Sequence, residues 1–263
     1  MADLTIIFKE KMRQAYLDFK LKMEQGSLFQ IQERLAETII LVTKERNSFA
    51  ENELLIATYN ENALNLSNTG KTYKNVLEEK IFTDGFRVFE EFLADIFTGI
   101  FEVFPFLLLG KEGKETREVI VPFDYIFTSP NIEGCKALIV ENRVKTYMQG
   151  DNISKIVDRF HSTFNLTLTL TEDEKIECQR IALIRNIITH NNSVINDIYI
   201  FSIAKFKIRN NFYSVGDSIL PHLESEINGL RATFESIAQK IVYDLITENN
   251  LKTLDERNKS LST

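Results

Sequence analysis

Tryptophan is absent from this chain of 263 residues, proline occurs only 4 times, glycine 10 times and cysteine twice. So few glycines and prolines leave little to punctuate an architecture of tight turns and short strands, and they favour helix. Two cysteines, Cys135 and Cys178, make a disulfide framework implausible. No CxxC and no Cys/His spacing suits zinc. No apolar run approaches the roughly 20 residues that a membrane helix needs. Met1-Ala2-Asp3-Leu4 starts no basic-then-apolar leader. The expectation is a soluble, cytoplasmic protein that uses no cofactor and no metal. Positive charge is also in short supply: 31 Lys and Arg face 38 Asp and Glu, a net −7. That balance argues against broad adhesion to nucleic acid or anionic membrane, while leaving room for a locally basic cleft.

What is present suits a helical core, with 44% hydrophobic and 26% charged residues. Leu4, Ile7, Phe8, Met12, Ala15, Tyr16, Phe19 and Met23 recur at helical spacing over 4–24, and Gly26-Ser27 reads as a stop. A second helix is expected from Ile31 through Val42, extending towards Phe49, and a third over Glu51–Leu66. The polar stretch that follows contains Gly70-Lys71-Thr72, which looks like the tail of a phosphate-binding loop. Asn65 stands where that motif needs its first glycine and no strand precedes it, so the reading is a turn. The strongest helix covers 77–104, with Phe82, Phe86, Phe89, Leu93, Ile96, Phe97, Ile100 and Phe104 in one stripe. Glu90 falls on the border of that stripe. It is either a rim glutamate whose stem lies on apolar surface or a carboxylate serving a site.

Further helices are expected over Lys136–Met148 and Ile153–Phe164, where His161 reads as a packing or surface residue. Between them and the strong helix, Glu118–Phe127 has β-type residues that Pro122 and Pro130 confine to an edge. Ile198–Tyr213, rich in β-branched and aromatic residues, suits a short hairpin around Asn210-Asn211. Gly216-Asp217-Ser218 turns into a last helix, Ile219–Leu245, with His222 near its start. A polar tail from 251 to 263 is expected to fray. The fold class is therefore all-α, a helical bundle with extra N-terminal helices and that one hairpin. The organisation reads as an extension over 1–75, a main helical unit over 76–250 and the tail.

One helix, Glu172–Asn192, concentrates chemistry. Thr171 with Glu174 makes a capping box at its start. Ile181, Leu183, Ile184, Ile187 and Ile188 fall on one side, and Cys178, Gln179, Ala182, Arg185, Asn186, Thr189 and His190 sweep across the other. Arginine is a permanent forked cation suited to phosphate oxygens. Imidazole titrates near neutrality and can move a proton. An amide can hold an imidazole or a ribose hydroxyl in place. The bland alternative is a solvated face, with Arg185 on a surface carboxylate and His190 complementing the helix C-terminus.

Arg185-Asn186-Ile-Ile-Thr-His190, followed by Asn191-Asn192-Ser193, resembles the Arg-polar-x3-His signature of the HEPN superfamily, closest to its RiboL-PSP-HEPN-like branch. Phe89-Glu90-Glu91-Phe92-Leu93 is similar to the Glu-x-Phe-Leu core of an early helix in that family, and the likeness spans about 77–247. It implies a helical bundle that dimerises through the signature helix and cuts RNA without metal. Arg185, Asn186 and His190 of both copies would then share a cleft, with Glu90 holding Arg185 or a histidine. An antitoxin or a defence-system partner would restrain such an enzyme. The same family includes catalytically silent dimerisation and partner-binding modules, and that reading stays open.

Overall fold

The computed structural model describes residues 2–46, 71–109, 131–149, 152–208 and 213–262. They form eight α-helices: α1 Ala2–Arg46, α2 Tyr73–Val103, α3 Ile132–Met148, α4 Ile153–Phe164, α5 Glu172–His190, α6 Asp197–Lys205, α7 Leu223–Leu245 and α8 Glu248–Ser262. Short 3₁₀ turns occupy Pro105–Leu109 and Leu220–His222. There is no sheet among the described residues, whose one β feature is an isolated bridge between Val194 and Ser218. No described helix is long and apolar enough to cross a membrane. The expected helix over Glu51–Leu66, the edge strand near 118–127 and the hairpin tip Asn210-Asn211 lie outside the described residues.

The chain divides into two compact units that do not follow chain order. The first comprises Met1–Lys20, Val88–Ala182 and Thr233–Thr263; the second comprises Leu21–Arg87 and Leu183–Ala232.

The first unit is built on phenylalanine. Phe97 is fully buried, stacked on Phe160 at 4.3 Å and on Tyr147 at 5.3 Å between ring centroids. Phe89 stacks on Phe234 at 4.2 Å, and Phe8 meets Phe104 edge-on at 5.3 Å. Offset and edge contacts of this kind add about 0.5–1.5 kcal/mol each beyond the area they bury. Gly99 lets α1 come close to α2, because a Cβ there would stand 2.6 Å from the Met12 methyl. After α4, Asn165 takes a left-handed φ of 58° and the chain runs extended. Leu166, Leu168 and Leu170 point inwards while Thr167 and Thr169 stay exposed, the period-two pattern of extended backbone without a sheet partner.

The predicted capping box at the start of α5 is present. Thr171 N–H donates to Glu174 Oε2 at 2.6 Å, and Glu174 N–H donates to Thr171 Oγ1 at 3.2 Å. Burial alone would push the Glu174 carboxyl up. Hydrogen bonds from Lys240 and from the Thr171 N–H outweigh it and hold the carboxyl below its ordinary range. A depressed carboxylate contributes stability above its unfolded pKa, and that contribution is lost as pH falls through the folded value. Thr171→Ala is expected to cost about 1 kcal/mol at neutral pH. Chemical denaturation checks it, and a change in midpoint too small to resolve would show that the cap contributes nothing.

Three expectations fail in this fold. Helix α1 runs through Gly26-Ser27 without stopping. A glycine inside a helix costs only about 1 kcal/mol relative to alanine, which neighbouring packing readily offsets. Gly26 is half-buried within reach of the Ile81 side chain, and Met23 beside it is buried. The expected hairpin over 198–213 is replaced, as far as Lys205, by helix α6, which Asn196 caps by accepting from Tyr199 N–H at 2.9 Å. The tail is ordered as α8, with Leu254 fully buried and Leu251 nearly so. Asn250 anchors it: its Oδ1 accepts from Thr167 N–H and its Nδ2 donates to the Asp244 carbonyl.

Candidate functional site

The polar side of α5 is not one surface. Within the first unit it is covered. Cys178 is fully buried, which corrects its expected place on the open front. Gln179 Oε1 accepts from Asn152 Nδ2 at 2.7 Å, and Lys240 reaches Glu174 at 2.8 Å. Burial pushes the Cys178 thiol up to about 12. At pH 8 roughly one such thiol in 10⁴ is ionised, and only the thiolate reacts. Mass spectrometry after iodoacetamide treatment of the native protein is therefore expected to find Cys178 unmodified until denaturant is added. Labelling of Cys178 in the native state would refute that.

Within the second unit the last two turns of α5 are open. Asn186, Thr189 and His190 are exposed, while Ile184 and Ile187 hold the opposite side in the core. Arg185 is half-buried at the edge between them. Its guanidinium lies 5.8 Å from the centre of the Phe86 ring on α2, and its Nη1 donates to Asn186 Oδ1 at 3.2 Å. Neighbours one apart on a helix point about 100° away from each other, so this bond exists only because the long arginine folds back. Among the described residues of this unit no carboxylate lies within 4 Å of that guanidinium. Four of its five N–H donors are thus uncommitted to side-chain acceptors there. The surface carboxylate that the bland expectation pairs with Arg185 is not found among the described residues of its unit. Thr189 Oγ1 donates back to the Arg185 carbonyl at 2.7 Å, which fixes the threonine and leaves Asn186 and His190 as the outward polar groups.

The chain leaves α5 through an unusual turn. Asn192 and Ser193 both take left-handed φ, 51° and 62°. Asparagine tolerates this region; a serine there is uncommon and costs about 1 kcal/mol. Ser193 is held by more than its backbone. It is fully buried, its N–H donates to Ile187 O at 3.2 Å, and its carbonyl accepts from Ile219 N–H at 2.9 Å. Its hydroxyl donates to Glu79 Oε1 on α2, and the same oxygen receives Lys71 Nζ at 2.5 Å. Gly216, at φ 92°, turns the next segment so that its N–H reaches Ile195 O at 2.9 Å. The loop behind His190 is thereby pinned on two sides. Lys71, from the phosphate-loop look-alike, is spent on this ion pair, and Thr72 caps α2 by accepting from Asn75 N–H.

Of the residues singled out from the sequence, the second unit brings Arg185 and Asn186 into contact and sets His190 one turn beyond Asn186 on the same open face. Glu90 lies half-buried on the part of α2 that belongs to the first unit. His222 lies exposed at the end of its 3₁₀ turn with its ring 5.6 Å from Tyr213, and the exposed His161 bonds through Nδ1 to the Leu166 carbonyl. Phe86 as the arginine's support and Ser193 as the anchor of the turn had no distinguishing signal in the sequence. No family model matches the chain, and no similar curated protein or solved structure is found.

Proposed function

We propose that this protein is a metal-independent endoribonuclease whose site forms when the open end of α5 meets its counterpart in a second copy. One observation carries the reading: among the described residues of its unit Arg185 has no carboxylate partner, yet its guanidinium is positioned by Phe86 and Asn186, one turn from an exposed His190. An arginine serving only as surface charge has no need of such support. In the proposed reaction His190 takes the proton of a ribose 2′-hydroxyl, whose oxygen attacks the adjacent phosphorus. Arg185 stabilises charge on the five-coordinate transition state, the kind of electrostatic contribution that dominates in such sites. The partner's His190 donates a proton to the departing 5′-oxygen. The products carry a 2′,3′-cyclic phosphate and a 5′-hydroxyl. An intracellular setting with an antitoxin or a defence-system partner belongs to the same proposal, since unrestrained RNA cleavage would harm the host.

The test is incubation of purified protein with total RNA in EDTA, followed by mapping of the ends. Cyclic phosphate ends that appear with wild type and vanish with Arg185→Ala support the proposal; no cleavage sinks it. A second reading, a catalytically silent dimerisation module, has one observation in its favour. The His190 ring has no orienting hydrogen bond among the described residues of its unit. A stable dimer without cleavage would decide for it.

A further inference from the structure

Helix α6 is apolar on both sides, which a helix at the edge of a core has no reason to be. Tyr199 and Ile203 are buried, and Ile208 beyond the helix joins them. On the outer side Ile198 is 73% exposed and Phe201 69% exposed, with Phe206 at 40% just past the last turn. At about 100° per residue Ile198, Phe201 and Lys205 fall within roughly 60° of one another. Lys205 Nζ stands 5.5 Å from the centre of the Phe206 ring. Neither Lys205 nor Lys207 has a carboxylate within 4 Å among the described residues of this unit. In a chain of net charge −7, two lysines with no carboxylate partner among the described residues of their unit, alternating with exposed aromatic rings, are a local reversal of character.

The end of α6 adds an independent observation. Ile208 N–H donates to Ile203 O at 3.0 Å and Lys207 N–H to Ala204 O at 3.2 Å, the paired bonds of a Schellman motif. The residue at its left-handed position is Lys207, φ 54°. Glycine is the favoured residue there, because a side chain is strained in that region. The chain thus keeps a cation where local stability would prefer none. Strain that a structure tolerates at one exposed position is a pointer to use.

We propose that the outer face of α6 and the turn that ends it bind single-stranded RNA, with bases stacked on Phe201 and Phe206 and phosphates on Lys205 and Lys207. Aromatic faces accept any base and lysines follow the backbone, so the platform holds a strand without reading its sequence. The choice of RNA over single-stranded DNA rests on the endoribonuclease reading; the stacking chemistry itself does not. A flexible strand is required, since a duplex keeps its bases in their own stack.

The experiment measures binding of a fluorescein-labelled 12-nucleotide mixed-sequence RNA to the full chain by anisotropy, in the His190→Ala background so that no strand is cut. Phe201→Ala is expected to weaken binding about 5- to 100-fold. Lys207→Gly is expected to weaken binding and to flatten the dependence of log K on log salt by about 0.7. It should also raise Tm by about 2–4 °C through relief of the strained turn. A variant that is more stable and binds less well cannot be explained by misfolding. RNA affinity unchanged in both variants overturns the proposal. So does a concentration-dependent dimer lost in Phe201→Ala with RNA affinity intact, which would make this face a self-interface. Wild type that binds RNA through these residues but never cuts it would overturn the nuclease reading alone.

Discussion

His190→Ala is expected to lower RNA cleavage by about 10²–10⁴-fold, the range that positioned general acid–base catalysis supplies. The fold should not notice. His190 is exposed at the end of α5, and surface changes of that kind stay within about 0.5 kcal/mol. Loss of activity with unchanged Tm would therefore report chemistry. Arg185→Ala should cost about 10²–10³-fold, as removal of one transition-state donor does, with at most about 1 kcal/mol of stability from the lost Phe86 contact. Arg185→Lys keeps the charge but loses the planar fork and the ring contact, so it should recover little. If two copies complete one site, a tenfold excess of His190→Ala protein mixed into wild type should suppress cleavage well beyond simple dilution. Wild-type rates from His190→Ala would end the mechanism, and suppression no greater than dilution would end the shared cleft.

The sequence made this helix legible because two independent signals agreed there. Thr171 and Glu174 marked where it begins, and the isoleucines from 181 to 188 gave it an inner side. Apolar spacing made α4 visible, whose five buried residues from Ile153 to Phe164 recur at helical intervals. Helix α6 escaped because it lacks that contrast. Ile198 and Phe201 outside match Tyr199 and Ile203 inside, so no amphipathic period survives and β-branched composition points to strand. The Asn196 cap was the one local clue to helix. Helix α8 escaped for the opposite reason, since Leu251 and Leu254 are two apolar residues in a polar stretch and the anchoring comes from Asn250. The front of α5 is legible as polar but not as divided, because Asn152 engages Gln179 and Lys240 engages Glu174 from 27 and 66 positions away. Long-range cover of this kind leaves no periodic trace.

Glu79→Ala is expected to be the most damaging single change near the candidate site that touches none of its polar groups. Glu79 Oε1 receives both the Ser193 hydroxyl and Lys71 Nζ, and the side chains of Glu79 and Lys71 are only 14% and 11% exposed. Removing the carboxylate strands an ammonium and a hydroxyl in a nearly closed site. Breaking a buried pair by deleting one partner costs about 3–5 kcal/mol, and the lower end applies because a little water still reaches this one. For a chain of this length about 3 kcal/mol corresponds to a fall in Tm of about 6–9 °C. Glu79→Gln should fall by less, since an amide oxygen still accepts from Ser193 while the charge facing Lys71 is gone. Combining Glu79→Gln with Lys71→Met removes the stranded cation and should recover part of the loss, the non-additivity that a double-mutant cycle reads directly. Hydrogen exchange locates the effect: in Glu79→Ala the amides of Ser193 and Ile195 should lose protection first, because the left-handed turn behind His190 loses its side-chain anchor. A Tm within 1 °C of wild type would mean that the Ser193 turn is held by its backbone bonds alone.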